Sequence, residues 1–598
     1  MRKRAKPGRL AAAAAAMAGL AALLVMPAAA HAAAGKSLTV DLSSTRGPST
    51  GVGEGFLYGI TQDGTQPADQ YLQPLGINAF RGGGWFSGGW IKDNYTYGSA
   101  TKADITSITA QARRLTQSPY HAQYQVLMSD LWGNNGGQPS NEVYPCDNGN
   151  CANWVSFIDT TVGALQASGL PFAYDIYNEP DISVFWTRGM NSTQYFQMWD
   201  SAYKEIRRVA PNAKIVGPSL AFTPQSNPGE WNTWLAHVKA AGTVPDMITN
   251  HDEGDVDDPV TVSQSLNNAL SANGISARPL SANEYQPADR QTAGVTAWYL
   301  ARFAQSGYTN AMRGNWACCM TPNLTGVLTQ SNGTWQPNGN WWAMRAYADM
   351  TGTLVNTSGL TGSTAISASE DSTAKRAVAV IGDSNGYTGA ASVTFNGLAS
   401  VPWLAGNGSV NVTVKRIPDQ YPLSAPQVVY NQNVSTSAGS LTVPVTFQAS
   451  HDAFAVYVTP AGSTGGGTSG ELHAVGAGKC LDVPNSSTTA GTQTQIWDCS
   501  GGSNQVFTRT SSNQLTVYSG SSQMCLDANG QGTSTGTKVI VWSCNGQPNQ
   551  QWNVNSNGTV TNAQSGLCLD VTGAGTANGT PVELWTCTGG SNQHWTLG

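Results

Sequence analysis

The chain has 598 residues, which is more than one ordinary domain holds, and two or three domains are therefore expected. Charged residues make up only 11% of the chain and the formal net charge is -6. Because binding to nucleic acid needs clustered Lys and Arg, this composition argues against a nucleic-acid partner. It is typical of proteins that bind neutral polar ligands.

The first 34 residues have the pattern of a secretion signal. The basic start MRKRAKPGR is followed by the apolar run LAAAAAAMAGLAALLVM and then by Ala30, His31 and Ala32. A basic head, an apolar middle and a small-x-small end are typical of a secretory signal peptide. A membrane anchor is the alternative, but no second apolar run of about 20 residues follows. We therefore expect residues 1–34 to be a signal peptide and the protein to be secreted, with no membrane partner.

Residues 35–352 alternate between short apolar runs and longer amphipathic segments. The candidate strands are GFLYGIT, GINAFRGGG, YQVLMSDLW, FAYDIYNEP, AKIVGPS, DMITNHDE, PLSANEYQ and TNAMRGNW. Helix-like stretches such as ITSITAQARRLTQ and STQYFQMWDSAYKEIRRVA lie between them. Eight alternations of strand and helix predict a (β/α)8 TIM barrel. A doubly wound sheet is the alternative, but the chain has no Gly-rich phosphate-binding loop.

Two carboxylates end separate strands of this predicted barrel. Glu179 in FAYDIYNEP ends the fourth strand, and Glu284 in LSANEYQ ends the seventh. Because the active site of a barrel lies at the C-terminal ends of its strands, the two side chains should face each other across the mouth. Two carboxyl groups about 5 to 5.5 Å apart can hydrolyse a glycosidic bond with retention of configuration.

These features resemble clan A of the glycoside hydrolases, whose retaining barrel enzymes carry the acid/base and the nucleophile at the ends of strands four and seven. The resemblance is carried by Asn178, Glu179 and Pro180, by Glu284, and by Arg81 at the end of strand two. Within the clan, the layout is most similar to glycoside hydrolase family 39. The resemblance implies that Glu179 is the general acid/base and Glu284 the nucleophile of a double-displacement mechanism.

The same resemblance implies roles in substrate binding. Asn178 would bond the 2-hydroxyl of the sugar, and Arg81 would keep Glu284 ionised. His251, at the end of strand six, would contact the sugar or the nucleophile, or is simply a loop residue.

Aromatic and acidic residues are concentrated in the loops that follow the strands. Aromatic rings stack on the C–H faces of sugars, so this rim suits a carbohydrate cleft, although each Trp taken singly could belong to the core. The aromatic residues are Trp85, Trp90, Trp132, Phe185, Trp186 and Trp316, of which Trp132, Trp186 and Trp316 are expected to bind substrate. The acids, which orient hydroxyls or are only solvated, are Asp130, Asp252, Glu253 and Asp255.

Four cysteines precede the last 130 residues. Cys146 and Cys151 are close enough in sequence to staple a loop. Cys318 and Cys319 remain, and in an oxidising compartment they should form a vicinal disulfide or pair outside the chain, with free buried thiols as the alternative. A vicinal disulfide at the end of strand eight would pack against substrate.

Two further segments separate the barrel from the C-terminal region. Residues 353–461 alternate apolar and polar side chains in short runs such as RAVAVIGD and SVNVTVKRI, which predicts a β-sandwich. Residues 462–470, GSTGGGTSG, form a Gly/Ser/Thr-rich flexible linker.

Residues 471–598 contain a threefold repeat of about 43 to 45 residues. Its cysteines form pairs with one separation, namely Cys480 with Cys499, Cys525 with Cys544, and Cys568 with Cys587. Each repeat is too small to bury a core alone, so it needs a disulfide and two neighbours. The repeat resembles the ricin-type β-trefoil, carbohydrate-binding module family 13.

This second resemblance implies sugar-binding residues in each repeat: an Asp, a polar residue on a later strand and a stacking aromatic ring. The first repeat would supply Asp482, Gln495, Trp497 and Asn504, and the third Asp570, Glu583, Trp585 and Asn592. The second has Asp527, Trp542 and Asn549, but Ile540 stands where the first has Gln495, which makes its site doubtful. Alternatively, the Asp and Trp residues only brace the trefoil.

Together these features lead us to expect a secreted, extracellular glycosidase that acts on plant polysaccharides or oligosaccharides without a cofactor or metal. Family resemblance favours an α-L-arabinofuranosidase type of action on arabinose-containing side chains, as in arabinogalactan or gum arabic. A β-xylosidase or xylan-directed glycosidase is the alternative. A non-catalytic lectin is a further alternative, against which Glu179 and Glu284 weigh. The oligomeric state stays open.

Overall fold

The computed structural model describes residues 35–83, 93, 96–129, 143–254, 257–314, 321–331, 333–360, 362–461, 469–510, 512–555 and 558–597. The predicted signal peptide and most of the predicted linker lie outside these residues. Of the helices within them, none combines the length and the apolar character needed to cross a membrane.

The predicted barrel is confirmed, and all eight candidate strands belong to it. The strands pair in parallel in chain order and the first pairs with the last, which closes the barrel. Their bounds are β2 (Gly55–Leu57), β3 (Ala79–Gly82), β4 (Gln123–Leu127), β5 (Phe172–Asp175), β6 (Lys214–Leu220), β7 (Met247–Asp252), β8 (Leu280–Tyr285) and β9 (Asn310–Arg313).

Helices surround the barrel, and five of those described begin at a short polar side chain that caps them. The hydroxyl of Ser192 accepts a hydrogen bond from the Tyr195 N–H, and Asn227, Asp258, Thr292 and Asn338 cap later helices in the same way. The helices are α1 (Asp69–Leu72), α2 (Ser99–Leu115), α3 (Ala152–Gln166), α4 (Thr193–Val209), α5 (Pro228–Ala241), α6 (Pro259–Ala272), α7 (Ala293–Phe303) and α8 (Gly339–Ala348). A hairpin of β10 (Leu328–Ser331) and β11 (Thr334–Pro337) precedes α8.

The predicted β-sandwich is confirmed, with one correction to its bounds. The strand β1 (Lys36–Pro48), which the sequence analysis assigned to the barrel, pairs with two strands of the sandwich. Its alternate side chains Leu38, Val40 and Leu42 enter the sandwich core. The other strands are β12 (Thr353–Ser358), β13 (Thr364–Asp371), β14 (Arg376–Asp383), β15 (Gly389–Asn396), β16 (Ser409–Ile417), β17 (Gln427–Ser435), β18 (Leu441–Phe447) and β19 (Ala453–Pro460), with a short helix α9 (Pro402–Ala405).

The sandwich packs directly on the barrel through β14. Successive side chains of a strand point to opposite faces, and here both faces are buried. Ala379 and Ile381 lie in the sandwich core, whereas Val378 and Val380 lie in the core of the barrel. The apolar run RAVAVIGD is therefore continuous because the strand is covered on both sides.

The C-terminal region folds as the predicted trefoil, with the three predicted disulfides formed. Trp552 and Trp595 are buried in its core, where each indole N–H donates to a main-chain carbonyl, of Leu526 and Leu569 respectively. The strands are β20 (Ser469–Ala474), β21 (Lys479–Asp482), β22 (Gln495–Trp497), β23 (Val506–Arg509), β24 (Leu515–Val517), β25 (Met524–Ala528), β26 (Val539–Trp542), β27 (Trp552–Val554), β28 (Val560–Asn562), β29 (Cys568–Val571), β30 (Thr580–Trp585) and β31 (Trp595–Leu597).

The contact between barrel and sandwich depends on a glycine of β14, which yields a prediction. A Cβ at Gly382 would lie 2.2 Å from the main-chain nitrogen of Trp298 in α7 and 2.4 Å from the carbonyl oxygen of Gly294. Gly382→Ala should therefore lower the free energy of unfolding by about 1–3 kcal/mol or more, because main chain must move to admit the methyl group. Gly229 in α5 has open space at its Cβ position. Gly229→Ala should leave thermal unfolding unchanged or raise its midpoint slightly, and equal midpoints for the two variants would contradict the prediction.

Candidate functional site

The site is built around the guanidinium group of Arg81, which is buried at the end of β3. Its Nε donates to Asp175 at 2.8 Å, one terminal nitrogen to Glu284 at 2.5 Å, and the other to Asn178 at 2.7 Å. Burial alone would lower the pKa of this guanidinium, but the Asp175 and Glu284 carboxylates raise it above its usual range. Arg81 therefore stays charged and holds three side chains from β5, the loop after it and β8.

A polar network below Arg81 fixes Asp175. The hydroxyl of Ser219 contacts both carboxylate oxygens of Asp175 at 2.9 Å. The amide of Asn283 donates to Asp175 and to Ser219, also at 2.9 Å in both cases. These residues belong to β5, β6 and β8, so the network joins two neighbouring strands to a third strand that lies beyond β7 in the barrel.

Glu179 lies at the turn that follows β5. Its φ of 40° is in the left-handed region, which a non-glycine residue adopts only where its surroundings compensate for the strain. Here its main-chain N–H donates to the carbonyl oxygen of Ser219 at 2.9 Å. Burial raises the pKa of the Glu179 carboxyl to about 7, and the more distant Arg81 lowers it only in part.

His251 of β7 lies between the two carboxylates expected to be catalytic. Its Nδ1 is 2.7 Å from Glu179 Oε1, and its Nε2 is 3.7 Å from Glu284 Oε1. The ring is fully buried, and burial lowers its pKa to about 4 although Glu284 opposes this effect. At neutral pH the imidazole is therefore uncharged and bonds Glu179 without adding a positive charge beside it.

A third carboxyl group, that of Glu253, lies in the same cluster. Single ligand atoms of Glu179, His251 and Glu253 all lie within 4.8 Å of one another. Burial, and then the charges of Glu284 and Glu179, raise the pKa of Glu253 well above its usual range. From sequence, Glu253 was expected only among the acids of the rim. Its position directly after β7, two residues beyond His251, could have indicated that it belongs to the same cluster.

These groups are suited to proton exchange. Burial raises the pKa of the Glu179 and Glu253 carboxyl groups, which favours protons on their oxygens. His251 Nδ1 bonds Glu179, and its Nε2 lies 3.7 Å from Glu284. The same ligand atoms of Glu179, His251 and Glu253 lie close enough together to contact a cation.

Trp186 requires a correction, because the structure buries it. Only 2% of the residue is exposed, and its ring packs edge-on against Tyr144, Tyr177 and Tyr195 at centroid distances of 4.9, 5.4 and 5.5 Å. Its indole N–H donates to the carbonyl oxygen of Gly189. Trp186 therefore supports the loop after β5 from below and does not offer a face to a sugar.

Other predicted residues of this region fall into two groups. The disulfide between Cys146 and Cys151 is confirmed, and it staples the loop that carries Tyr144. The residues Trp85, Trp90, Asp130, Trp132, Asp255, Trp316, Cys318 and Cys319 lie outside the described part of the chain.

In the trefoil, the residues expected to bind sugar converge in the first repeat. Asp482 accepts from Gln495 at 2.9 Å and from Asn504 at 2.7 Å. The carboxylate oxygen of Asp482 that accepts from Asn504 also accepts from the amide of the buried Gln505. The same Gln505 amide donates to the main-chain carbonyl oxygen of Asp498. The ring of Trp497 beside them is 43% exposed.

The other two repeats share this frame but differ at one position. Asn549 bonds Asp527 and Asn592 bonds Asp570, each at 2.9 Å. Their tryptophans, Trp542 and Trp585, are 42% and 43% exposed. The position of Gln495 is taken by the apolar, buried Ile540 in the second repeat and by Glu583, which pairs with Asp570, in the third.

The C-terminal region also matches a known family. Residues 468–595 match the family model described as ricin-type beta-trefoil lectin domain. This part of the chain is a ricin-type β-trefoil lectin domain. The resemblance found in its cysteine repeat is thereby confirmed, and the match begins three residues before residue 471, where the module was expected to start.

Solved structures similar to the rest of the chain include barrel glycoside hydrolases. N2152 from Neocallimastix frontalis is 24% identical with a TM-score of 0.60, and the match covers 72% of this chain and 100% of that one. A glucosidase from Croceicoccus marinus is 14% identical with a TM-score of 0.50, covering 71% and 99%. A GH39 enzyme from Xanthomonas axonopodis pv. citri is 13% identical with a TM-score of 0.48, covering 73% and 99%. At these identities the likeness to the first two structures shows a shared fold and nothing further.

Proposed function

We propose that the barrel is a retaining glycoside hydrolase in which Glu179 is the acid/base and Glu284 the nucleophile. The observation that carries this proposal is the single buried imidazole of His251, which contacts a carboxylate on each side. Both carboxylates lie at the C-terminal ends of barrel strands, where barrel enzymes have their active sites. The similarity in fold to a glucosidase supports the same reaction class.

The surroundings of the two carboxyl groups suit different roles. Arg81 donates a charge-assisted hydrogen bond to Glu284 and so holds this carboxylate in place as the nucleophile. Glu179 has a neutral imidazole as its partner and a pKa raised to about 7 by burial, so it keeps a proton in mildly acidic solution. Two carboxyl groups with such different surroundings suit the separate roles of a nucleophile and a proton donor.

With these roles for Glu179 and Glu284, the proposed reaction takes place in two steps. Glu179 donates its proton to the glycosidic oxygen while Glu284 attacks the anomeric carbon, and a covalent glycosyl-enzyme forms as the leaving group departs. Esterification removes the negative charge of Glu284, so the pKa of Glu179 falls and its carboxylate accepts a proton from the attacking water. Hydrolysis of the ester restores both groups.

Asn178 is positioned to bind the sugar at the reacting centre. Its Oδ1 accepts a hydrogen bond from Arg81, which fixes the orientation of the side-chain amide. The amide Nδ2 is thereby left as a donor, and in the proposed function it bonds the 2-hydroxyl. Because Arg81 also bonds Glu284, one guanidinium sets the position of the nucleophile relative to this donor.

For the substrate, we propose arabinose-containing side chains of plant polysaccharide, cleaved in an α-L-arabinofuranosidase type of reaction. The lectin domain supports a polymeric substrate, because it offers three exposed tryptophans beside polar groups. The four disulfides of the described residues support an extracellular, oxidising site of action. Release of arabinose from gum arabic would agree with this substrate, whereas release of xylose from xylan alone would favour the xylan-directed alternative.

The reaction class is tested at the nucleophile. Glu284→Ala should lower kcat on a nitrophenyl glycoside by several orders of magnitude, and azide should partly restore turnover by occupying the space that the carboxylate leaves. The rescued product should be a glycosyl azide with inverted anomeric configuration, which NMR identifies. Near-normal turnover by this variant would remove Glu284 from the proposed role.

The acid/base role predicts a pH profile. Because the folded-state pKa of Glu179 is raised to about 7, its proton is present below that pH and lost above it. kcat/KM should therefore decline as the pH rises through about 7. On an activated nitrophenyl glycoside, Glu179→Gln should remove this decline, while Glu253→Gln should retain it. A profile unchanged by Glu179→Gln would assign the decline to another group.

The lectin domain should speed hydrolysis of polymers but not of small substrates. Its tethered sugar sites raise the local concentration of the barrel at an extended polysaccharide. Deleting residues 471–598 should slow hydrolysis of polymer and leave kcat/KM on a nitrophenyl glycoside nearly unchanged. The double variant Trp497→Ala with Trp585→Ala should weaken pull-down on the polysaccharide by about thirtyfold, at about 1 kcal/mol for each of the two lost ring contacts.

Trp542→Ala is the matched control for the lectin domain, because this ring is equally exposed but lies beside Ile540 in place of a polar residue. It should change the pull-down little. Unchanged pull-down by the double variant would refute the assignment of the sugar sites. Loss of activity on the small glycoside after truncation would refute the independence of the two domains.

A further inference from the structure

One aromatic side chain of the barrel stands out by its exposure. Phe222 is 46% exposed, in the loop directly after β6. Among the described residues of the barrel, every other Phe, Tyr and Trp is buried or half-buried, including the aromatic clusters under the loop after β5. Phe222 was not among the aromatic residues expected from sequence at the rim, yet among the described aromatic residues of the barrel its ring is the one open to solvent.

The main chain at Phe222 is held rigidly although its ring is exposed. The N–H groups of Ala221 and Phe222 donate to the two oxygens of the Asp181 carboxylate, at 3.0 and 2.9 Å. The carbonyl oxygen of Phe222 accepts from the indole N–H of the buried Trp231 at 2.7 Å. An exposed loop residue with all its main-chain polar groups bonded loses little further conformational entropy when it binds a ligand.

The same contacts place Phe222 beside the acid/base residue of the proposed function. Asp181 follows Glu179 by two residues, and it bonds the loop after β6. Glu179 itself donates its main-chain N–H to Ser219, three residues before Phe222. Two independent links thus join the segment of Glu179 to the segment of Phe222, whereas Glu284 lies two strands away on β8.

This position matters because of the direction of the proposed reaction. The acid/base protonates the glycosidic oxygen, which stays with the leaving group, so the leaving sugar must lie on the side of Glu179. A sugar ring carries an apolar C–H face that packs on an aromatic ring. A rigid phenyl group next to Glu179 can therefore hold that face during proton transfer.

We propose that Phe222 forms the binding platform for the leaving-group sugar, with its ring against the C–H face of the residue to which the cleaved sugar is attached. This inference rests on the proposed function and deepens it. The platform selects substrates in which the leaving group is itself a sugar ring with one unsubstituted face. A phenyl ring offers no hydrogen bond, so the platform accepts several sugars and discriminates by shape.

The experiment compares two substrates that share the cleaved sugar and differ in the leaving group. One is a disaccharide or short oligosaccharide, and the other is the glycosyl fluoride, whose leaving group is a fluoride ion without a ring. For Phe222→Ala in the full-length chain, kcat/KM on the oligosaccharide should fall by about tenfold, while kcat/KM on the fluoride should stay within about twofold of the wild type. Phe222→Trp should retain the oligosaccharide activity, since it keeps an aromatic face.

Val428→Ala provides the control, because Val428 is an exposed apolar side chain on the edge strand β17 of the sandwich, and this variant should change neither rate. An equal loss on both substrates by Phe222→Ala, or no loss on either, would overturn the platform. A wild-type chain that hydrolyses neither substrate would instead overturn the proposed function on which the platform rests.

Discussion

The candidate site depends on one buried cation, the guanidinium of Arg81. It bonds Asp175 below, and Glu284 and Asn178 beside it, so that side chains from separate strands share one planar donor group. A lysine has a single nitrogen and cannot keep these three bonds in one plane. An uncompensated charge at this depth is unfavourable, and the Asp175 network with Ser219 and Asn283 satisfies it. The geometry of the barrel mouth therefore follows from how this one charge is compensated.

Burial then gives the remaining acids of the mouth their chemistry. Burial raises the pKa of Glu179 to about 7, and Arg81, which bonds Glu284 directly, lowers the Glu179 pKa only in part. His251, whose pKa is lowered by burial, bonds Glu179 and approaches Glu284 without adding charge. The loops around this centre are fixed by contacts far from the chemistry, such as the aromatic packing of Trp186 and the carboxylate of Asp181. Rigid support of this kind is what precise placement of reacting groups requires.

Much of the fold could be predicted, because each strand and helix carries a local signal. The eight barrel strands, the trefoil repeats with their disulfides and the helix caps all depend on residues close together in the chain. The assignment of β1 to the barrel was wrong, since its partners β12 and β15 lie some 300 residues further on and its alternating pattern fits either sheet. Trp186 was misjudged for a related reason: a tryptophan after a strand has the same sequence context whether it points outward or packs beneath its own loop.

The sequence by itself determined which side chains stand at the strand ends, namely Arg81, Glu179, His251 and Glu284, because strand periodicity and the barrel rule place them at one mouth. It also determined the lectin domain, whose spacing of cysteines repeats three times. Only the tertiary structure decided that Glu253 lies with Glu179 and His251, that Trp186 is core, and that Phe222 is exposed in the loop that bonds the Glu179 segment. The physical reason is that burial, the resulting pKa shifts and access to solvent arise from residues distant in the chain, whereas strand ends and repeats are properties of neighbouring residues.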